Sequence, residues 1–191
     1  MVNKKKVSIK KKANVPVSLV TEQQELALNT DLPINPVILI EEGGSDIMFN
    51  AVNEAVQTVN QNANVLFAND RVKSNRANAC NGGWLIHDTG SGLFTLVNNN
   101  RCGCATFRVD FNANITSATD GALALAIKSN GEQVAGTEMD YTPATANVYE
   151  SVSASTVIVV PAGASKTISI GNLNPTATLV KNANIIIEKK C

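Results

Sequence analysis

The stretch Ala105-Thr106-Phe107-Arg108-Val109-Asp110-Phe111-Asn112-Ala113-Asn114-Ile115 decides the fold. Apolar Phe107, Val109 and Phe111 alternate with polar neighbours, and a period of two sends one set of side chains into a core and the other toward solvent. Leu123, Leu125 and Ile127 repeat the pattern a few residues on. Working outward, the same rhythm predicts strands at Val65 to Asn69, Trp84 to His87, Leu93 to Val97, Ala122 to Lys128, Gln133 to Glu138, Val148 to Val160, Lys166 to Leu173 and Thr178 to Glu188. Between them stand turn residues: Asn81-Gly82-Gly83, Gly90-Ser91-Gly92, Asp120-Gly121, Asn130-Gly131, Pro161-Ala162-Gly163 and Asn174-Pro175, each suited to reverse an extended chain. Residues 64–191 therefore read as one all-β domain, an antiparallel jelly-roll sandwich.

Upstream the period changes. Ser45 suits a helix N-cap and Asp46 the positive end of the helix dipole, and Phe49, Val52, Val56, Val59, Ala63 and Leu66 follow at spacings of three and four. The expectation is a short coiled-coil helix over 45–66 that acts as a trimerising neck. Residues 1–44 read as an extended arm without a core. Lys4, Lys5, Lys6, Lys10, Lys11 and Lys12 make it basic, and Val37, Ile38, Leu39 and Ile40 form a strand-sized apolar run behind Pro36.

The formal charge is zero, yet no acid precedes Glu22, and the chain after the lysine cluster holds ten basic and sixteen acidic residues. A basic arm on an acidic body reads as a nucleic-acid tail, a lipid-surface tag or an anchor onto an acidic protein surface. Nucleic acid is disfavoured because the arm lacks arginine and aromatics for readout or stacking. No membrane-spanning segment is expected, since no apolar run approaches the ~18 residues that cross a bilayer, and no membrane partner is expected. No conventional secretory signal is expected.

The order Val65-Leu66-Phe67-Ala68-Asn69, Trp84-Leu85-Ile86-His87-Asp88, Gly92-Leu93-Phe94-Thr95-Leu96, Ala122 to Ile127 with Asn130-Gly131, then Val157 to Gly163 resembles the trimeric jelly rolls of the tumour necrosis factor and complement globular-head superfamily. Its bacterial and phage branch, which includes the heads of collagen-like spore proteins and of phage head fibres, is the nearest likeness. The resemblance spans about two thirds of the chain, although no Gly-X-Y stalk precedes the head. It implies a homotrimer and a last strand antiparallel to the one starting near Ala105. That pairing would bring Cys191 toward Cys102 or Cys104, where a disulfide would close a long loop.

Chemistry-bearing residues are sparse. Cys102-Gly103-Cys104 is tighter than structural zinc pairs prefer, and no metal or other cofactor is expected. His87 is the single histidine, and its neighbour Asp88 points to the opposite strand face, so no triad forms. Gly90-Ser91-Gly92 lacks the Gly-Lys-Ser of a phosphate loop. The combined expectation is a non-enzymatic virion protein, a head fibre or capsid decoration protein assembled in the host cytoplasm and displayed on the capsid exterior. The arm would dock on a capsid protein. The alternative is a receptor- or glycan-binding head using the loops Asn98 to Cys104 and Thr137 to Ala146, with Asn98, Asn99, Asn100, Arg101 and Tyr141 as contacts.

Overall fold

The computed structural model describes residues 47–73, 83–119 and 121–190. In chain order the strands are β1 (Ile47–Asn53), β2 (Gln57–Val59), β3 (Asn69–Lys73), β4 (Leu85–Ile86), β5 (Phe94–Val97), β6 (Ala105–Thr116), β7 (Leu123–Ser129), β8 (Glu132–Gln133), β9 (Met139–Tyr141), β10 (Glu150–Val160), β11 (Ser165–Asn172) and β12 (Thr178–Lys190). They form two antiparallel sheets. The first runs β10-β6-β12-β1-β3, with β2 on β12, and the second runs β4-β5-β11-β7-β8, with β9 on β7. Neighbours distant in sequence, such as β1 beside β12, give the jelly-roll arrangement.

Alternation in β6 holds as far as Ile115: Phe107, Val109, Phe111 and Ile115 are buried, and only the final Thr116 breaks the pattern by being buried too. Opposite them the second sheet contributes Phe94, Leu96, Leu123, Leu125 and Ile127. Phe94 anchors an aromatic chain, edge-on to Phe67 at 5.2 Å and to Phe49 at 5.9 Å, a geometry that ring quadrupoles favour.

Local chemistry fixes the strand ends. At the β7–β8 hairpin Asn130 and Gly131 both take positive φ, 52° and 86°, the conformation a two-residue turn needs to match strand twist. The Asn130 carboxamide oxygen accepts the Thr167 amide at 2.9 Å, tying that turn to β11. In β12 the register with β6 shifts between Lys181 and Asn184, where Asn182 has φ 52°, a bulge that bends the longest strand.

The structure corrects the expected neck helix. Residues 47–53 are a strand whose alternate side chains Ile47, Phe49 and Ala51 enter the core. Val59 is buried in β2, Ala63 is partly buried, and Val56 and Leu66 are solvent-exposed. These six residues therefore share no seam. The physical reason lies on both faces of β1: Met48 and Val52 point outward, so apolar residues on each face hide the period of two and leave spacings that mimic a heptad. The expected strand at 65–69 lies later, at β3. The expected Gln133–Glu138 strand divides into β8 and β9 around a turn at Gly136, φ 77°. The arm, with Lys4 to Lys12 and Val37 to Ile40, lies outside the described residues, as do Cys80 and Cys191.

Candidate functional site

Antiparallel register assigns side chains to faces, because directly paired residues point the same way. On the outward face of the first sheet one row reads Val157, Arg108, Glu188, Met48. The next reads Ser155, Asp110, Ile186, Asn50, Val72, and the third Ser153, Asn112, Asn184, Val52, Asn69. Val159 stands beyond Val157 on edge strand β10. The rows divide the face into three columns. One edge carries Val157 and Val159, 59 % and 48 % exposed. The other side carries Met48 and Val52 on β1 and Val72 on β3, and Ile186 lies on the middle strand between Asp110 and Asn50.

Apart from Ile186, the column between them is polar and internally neutralised. Arg108 pairs with Asp110 at 2.9 Å, and Lys190 with Glu188 at 3.0 Å. Asn50 donates to the Asn184 carboxamide at 2.5 Å and to the Ile185 carbonyl at 2.9 Å. Charges satisfied within the chain ask nothing of a partner, whereas the flanking apolar columns gain by losing water. Two unlike apolar patches at opposite sides of one face suit head-to-tail contact between copies, the heterologous geometry from which closed rings are built.

The remaining candidates are used structurally. His87 has a fully buried side chain. Its Nδ1 lies 3.0 Å from Asp70 Oδ1, its Nε2 3.3 Å from the Ser91 carbonyl, and its ring stacks 4.2 Å from Phe94. It ties the β3 edge of one sheet to the β4–β5 segment of the other. Asp70 is the residue that sequence reasoning missed, since no periodicity points from residue 70 to residue 87. Within Gly90-Ser91-Gly92, the Ser91 hydroxyl accepts the Leu93 amide at 3.0 Å and its carbonyl the Phe67 amide at 3.1 Å.

The two loop groups expected to bind a ligand do not meet. Asn98 to Cys104 precedes the start of β6, whereas Asn147 donates to the Ser117 carbonyl at 2.9 Å, beyond its other end. Twelve residues of strand separate them by roughly 36 Å. Asn98 is also spent: it is 1 % exposed, and its amide donates to the carbonyls of Gly103, Val160 and Pro161. Arg101, Cys102 and Cys104 are exposed. At the far end Lys181 Nζ sits 3.8 Å from the centre of the Tyr149 ring, and the Tyr141 hydroxyl donates to the Val148 carbonyl at 3.4 Å. Nearby Asp140 has its carboxyl raised above the usual range by desolvation and by the charge and hydrogen bond of Glu138. Among the described residues, no three His, Cys, Asp or Glu side chains gather closely enough to hold a metal ion.

No family model matches the chain, and no curated protein matches it. Solved structures do. Murine APRIL superposes with a TM-score of 0.52 at 9 % identity, covering 76 % of this chain and 99 % of that one. Eiger TNF from S. frugiperda gives 0.51 at 8 %, covering 76 % and 92 %. The globular domain of zebrafish complement 1qA gives 0.49 at 15 %, covering 75 % and 95 %. By the APRIL and Eiger TNF superpositions, about three quarters of the chain shares the fold of these tumour necrosis factor-like jelly rolls, at identities that speak to the fold alone.

Proposed function

We propose that the chain is a non-enzymatic, homotrimeric structural protein in which the jelly roll is the head. The carrying observation is the outward face of the first sheet, where Val157 and Val159 on one side and Met48, Val52 and Val72 on the other stand apart across self-paired polar groups and Ile186. Around a threefold axis each β10 edge would cover the next copy's β1–β12–β3 patch. Non-enzymatic action is supported by the engagement of both ring nitrogens of His87, the single histidine, with Asp70 and the Ser91 carbonyl in the fold.

The finer reading is a virion head fibre or capsid decoration protein, with the basic arm of residues 1–44 docked on a capsid protein. Three weakly binding arms on one trimer would hold far more tightly than one. Supporting this orientation, β1 starts in the row that holds Lys189, Phe107 and Ile158, the opposite end of the sandwich from Tyr141, Val148 and Tyr149. An anchor at the N-terminus would leave those loops outermost. The second reading, a glycan- or receptor-binding head, now rests on that far end alone, where Tyr141, Tyr149 and Lys181 gather.

Two experiments test the proposal. Native mass spectrometry of the full chain should show three copies, and a single copy would contradict the trimer. Co-sedimentation with capsids should require residues 1–44, while capsid binding that survives their removal, together with signal on a glycan array, would replace the anchoring reading with the receptor-binding one.

A further inference from the structure

Cys102 and Cys104 stand on either side of Gly103 in the last stretch of chain before β6 begins at Ala105. Both are free thiols, and both are exposed. Side chains two residues apart leave the same side of an extended chain, where their Cα atoms are about 6.6 Å apart, near the upper end of what a disulfide spans. Here the chain bends through residues 101–103, which shortens that separation. Between the two thiols, no atom lies within 4 Å of the place a Cβ would take on Gly103, and glycine supplies the backbone freedom that closing a small ring requires.

The backbone around the pair is fixed from outside it. Asn98 Nδ2 donates to the Gly103 carbonyl at 2.9 Å, to Val160 at 3.0 Å and to Pro161 at 3.1 Å. The Asn100 side chain accepts the Cys102 amide at 3.0 Å, and the Asn100 carbonyl accepts the Gly163 amide at 3.0 Å. Two asparagines thus hold the main chain of Cys102 and Gly103 while both thiols face solvent. Once one thiol has reacted, the other stays beside it, so the second step is intramolecular and runs at high effective concentration. Arg101, exposed next to Cys102, offers a cation to an anionic reagent.

We propose that Cys102 and Cys104 are a single redox site, a dithiol that closes on itself when the protein meets a low-molecular-weight disulfide such as oxidised glutathione and reopens in excess reduced glutathione. The thiolate of one cysteine attacks a glutathione sulfur, forming a mixed disulfide and releasing one glutathione thiolate. The thiolate of the other then attacks the protein sulfur of that mixed disulfide, forming the Cys102–Cys104 bond and releasing the second. Two protein thiols are oxidised, one glutathione disulfide is reduced to two glutathiones, and the two thiol protons neutralise the leaving thiolates. The product stays exposed on its loop, and exposed disulfides are the labile, switchable ones.

Trypsin, cutting after Arg101 and Arg108, releases both thiols on one peptide of residues 102–108, free of Cys80 and Cys191. The test incubates the reduced full-length protein with oxidised glutathione, alkylates residual thiols, digests with trypsin and weighs that peptide. It should be two hydrogens lighter than the dithiol and carry neither alkyl group nor glutathione, and prior return to excess reduced glutathione should restore two alkylatable thiols. In Cys104→Ser glutathione should remain on Cys102, and in Cys102→Ser on Cys104, because the mixed disulfide then has no second thiol to resolve it. A wild-type peptide 102–108 that carries glutathione on both cysteines, that is alkylated on both, or that is linked to Cys80, to Cys191 or to a second chain would overturn the proposal.

Discussion

The outward faces of the two sheets solve the same problem differently. At the centre of the second sheet the residues pointing away from the core are small, with Ala126 beside Gly171 and Ala124 beyond, and they are buried by the chain itself. The Lys128 stem crosses Gly171 so closely that a Cβ there would lie 2.8 Å from its methylenes, and Val65 and Asn62 donate to the carbonyls of Ile170 and Asn172 at 2.8 and 2.9 Å. At the centre of the first sheet the outward residues are larger, with Ile186, Asn184 and Asp110 side by side, and no strand crosses them among the described residues. One centre is finished within a single chain. The other is left open by the described chain, with apolar Ile186, Met48, Val52 and Val72 set beside the paired polar groups.

Strand β1 gives the largest test of this difference, because it serves both faces. Phe49→Ala should cost about 3–5 kcal/mol, since it empties a core site against Phe94 and His87. Met48→Ala, one residue away on the outward face, should leave the unfolding of the isolated chain within about 0.5 kcal/mol and weaken self-association instead. Denaturant unfolding at low concentration measures both. Equal losses at the two positions would erase the distinction between inward and outward.

On the second sheet, Gly92→Ala should destabilise by roughly 1–3 kcal/mol, because the new Cβ would fall 2.5 Å from the Val65 carbonyl oxygen, a backbone atom that cannot swing aside. Gly171→Ala meets only the flexible end of Lys128 and should cost clearly less. If the two cost the same, the closure of that sheet does not depend on the segment around Val65. At the end of the first sheet, Asn98→Ala should cost about 1–3 kcal/mol by stranding the carbonyls of Gly103, Val160 and Pro161. Faster amide exchange confined to 99–104 would accompany it.

The smallest effect concerns Asp140. Its carboxyl is raised in the folded state by desolvation and by Glu138, so ionisation costs the folded form. That cost is absent at low pH, where the group is protonated, and complete once pH exceeds the folded value. Asp140→Asn should therefore raise the thermal midpoint slightly at pH 7, and the gain should vanish toward pH 3. A gain that persists in acid would assign it to something other than this charge.

How much could be read from the chain follows the same division of faces. β6, β7, β11 and β12 were legible almost to the residue, because Phe107, Val109 and Phe111, or Leu123, Leu125 and Ile127, alternate with residues that contrast sharply or are small. β1 was not, because Met48 and Val52 make its outward side apolar too, and a strand with two apolar faces loses its period. The misleading segment is thus the one that contributes to the proposed interface. The Asp70–His87 tie and the role of Asn98 were not legible either, since each joins residues through a third element that sequence does not bring together. The strand pairing that places Lys190 beside Thr106 was legible through the resemblance, while Cys191 itself lies outside the described residues.

The most direct measurement is light scattering on the reduced full chain beside Val157→Ser/Val159→Ser, which extends the exposed serine series of β10 without touching the core. The expected mass is about 60 kDa for the wild type, three times the 20.1 kDa chain, falling toward one chain for the variant with its fold intact by circular dichroism. A wild-type monomer at micromolar concentration, or a variant that remains trimeric, would contradict the claim that the outward face of the first sheet joins the copies.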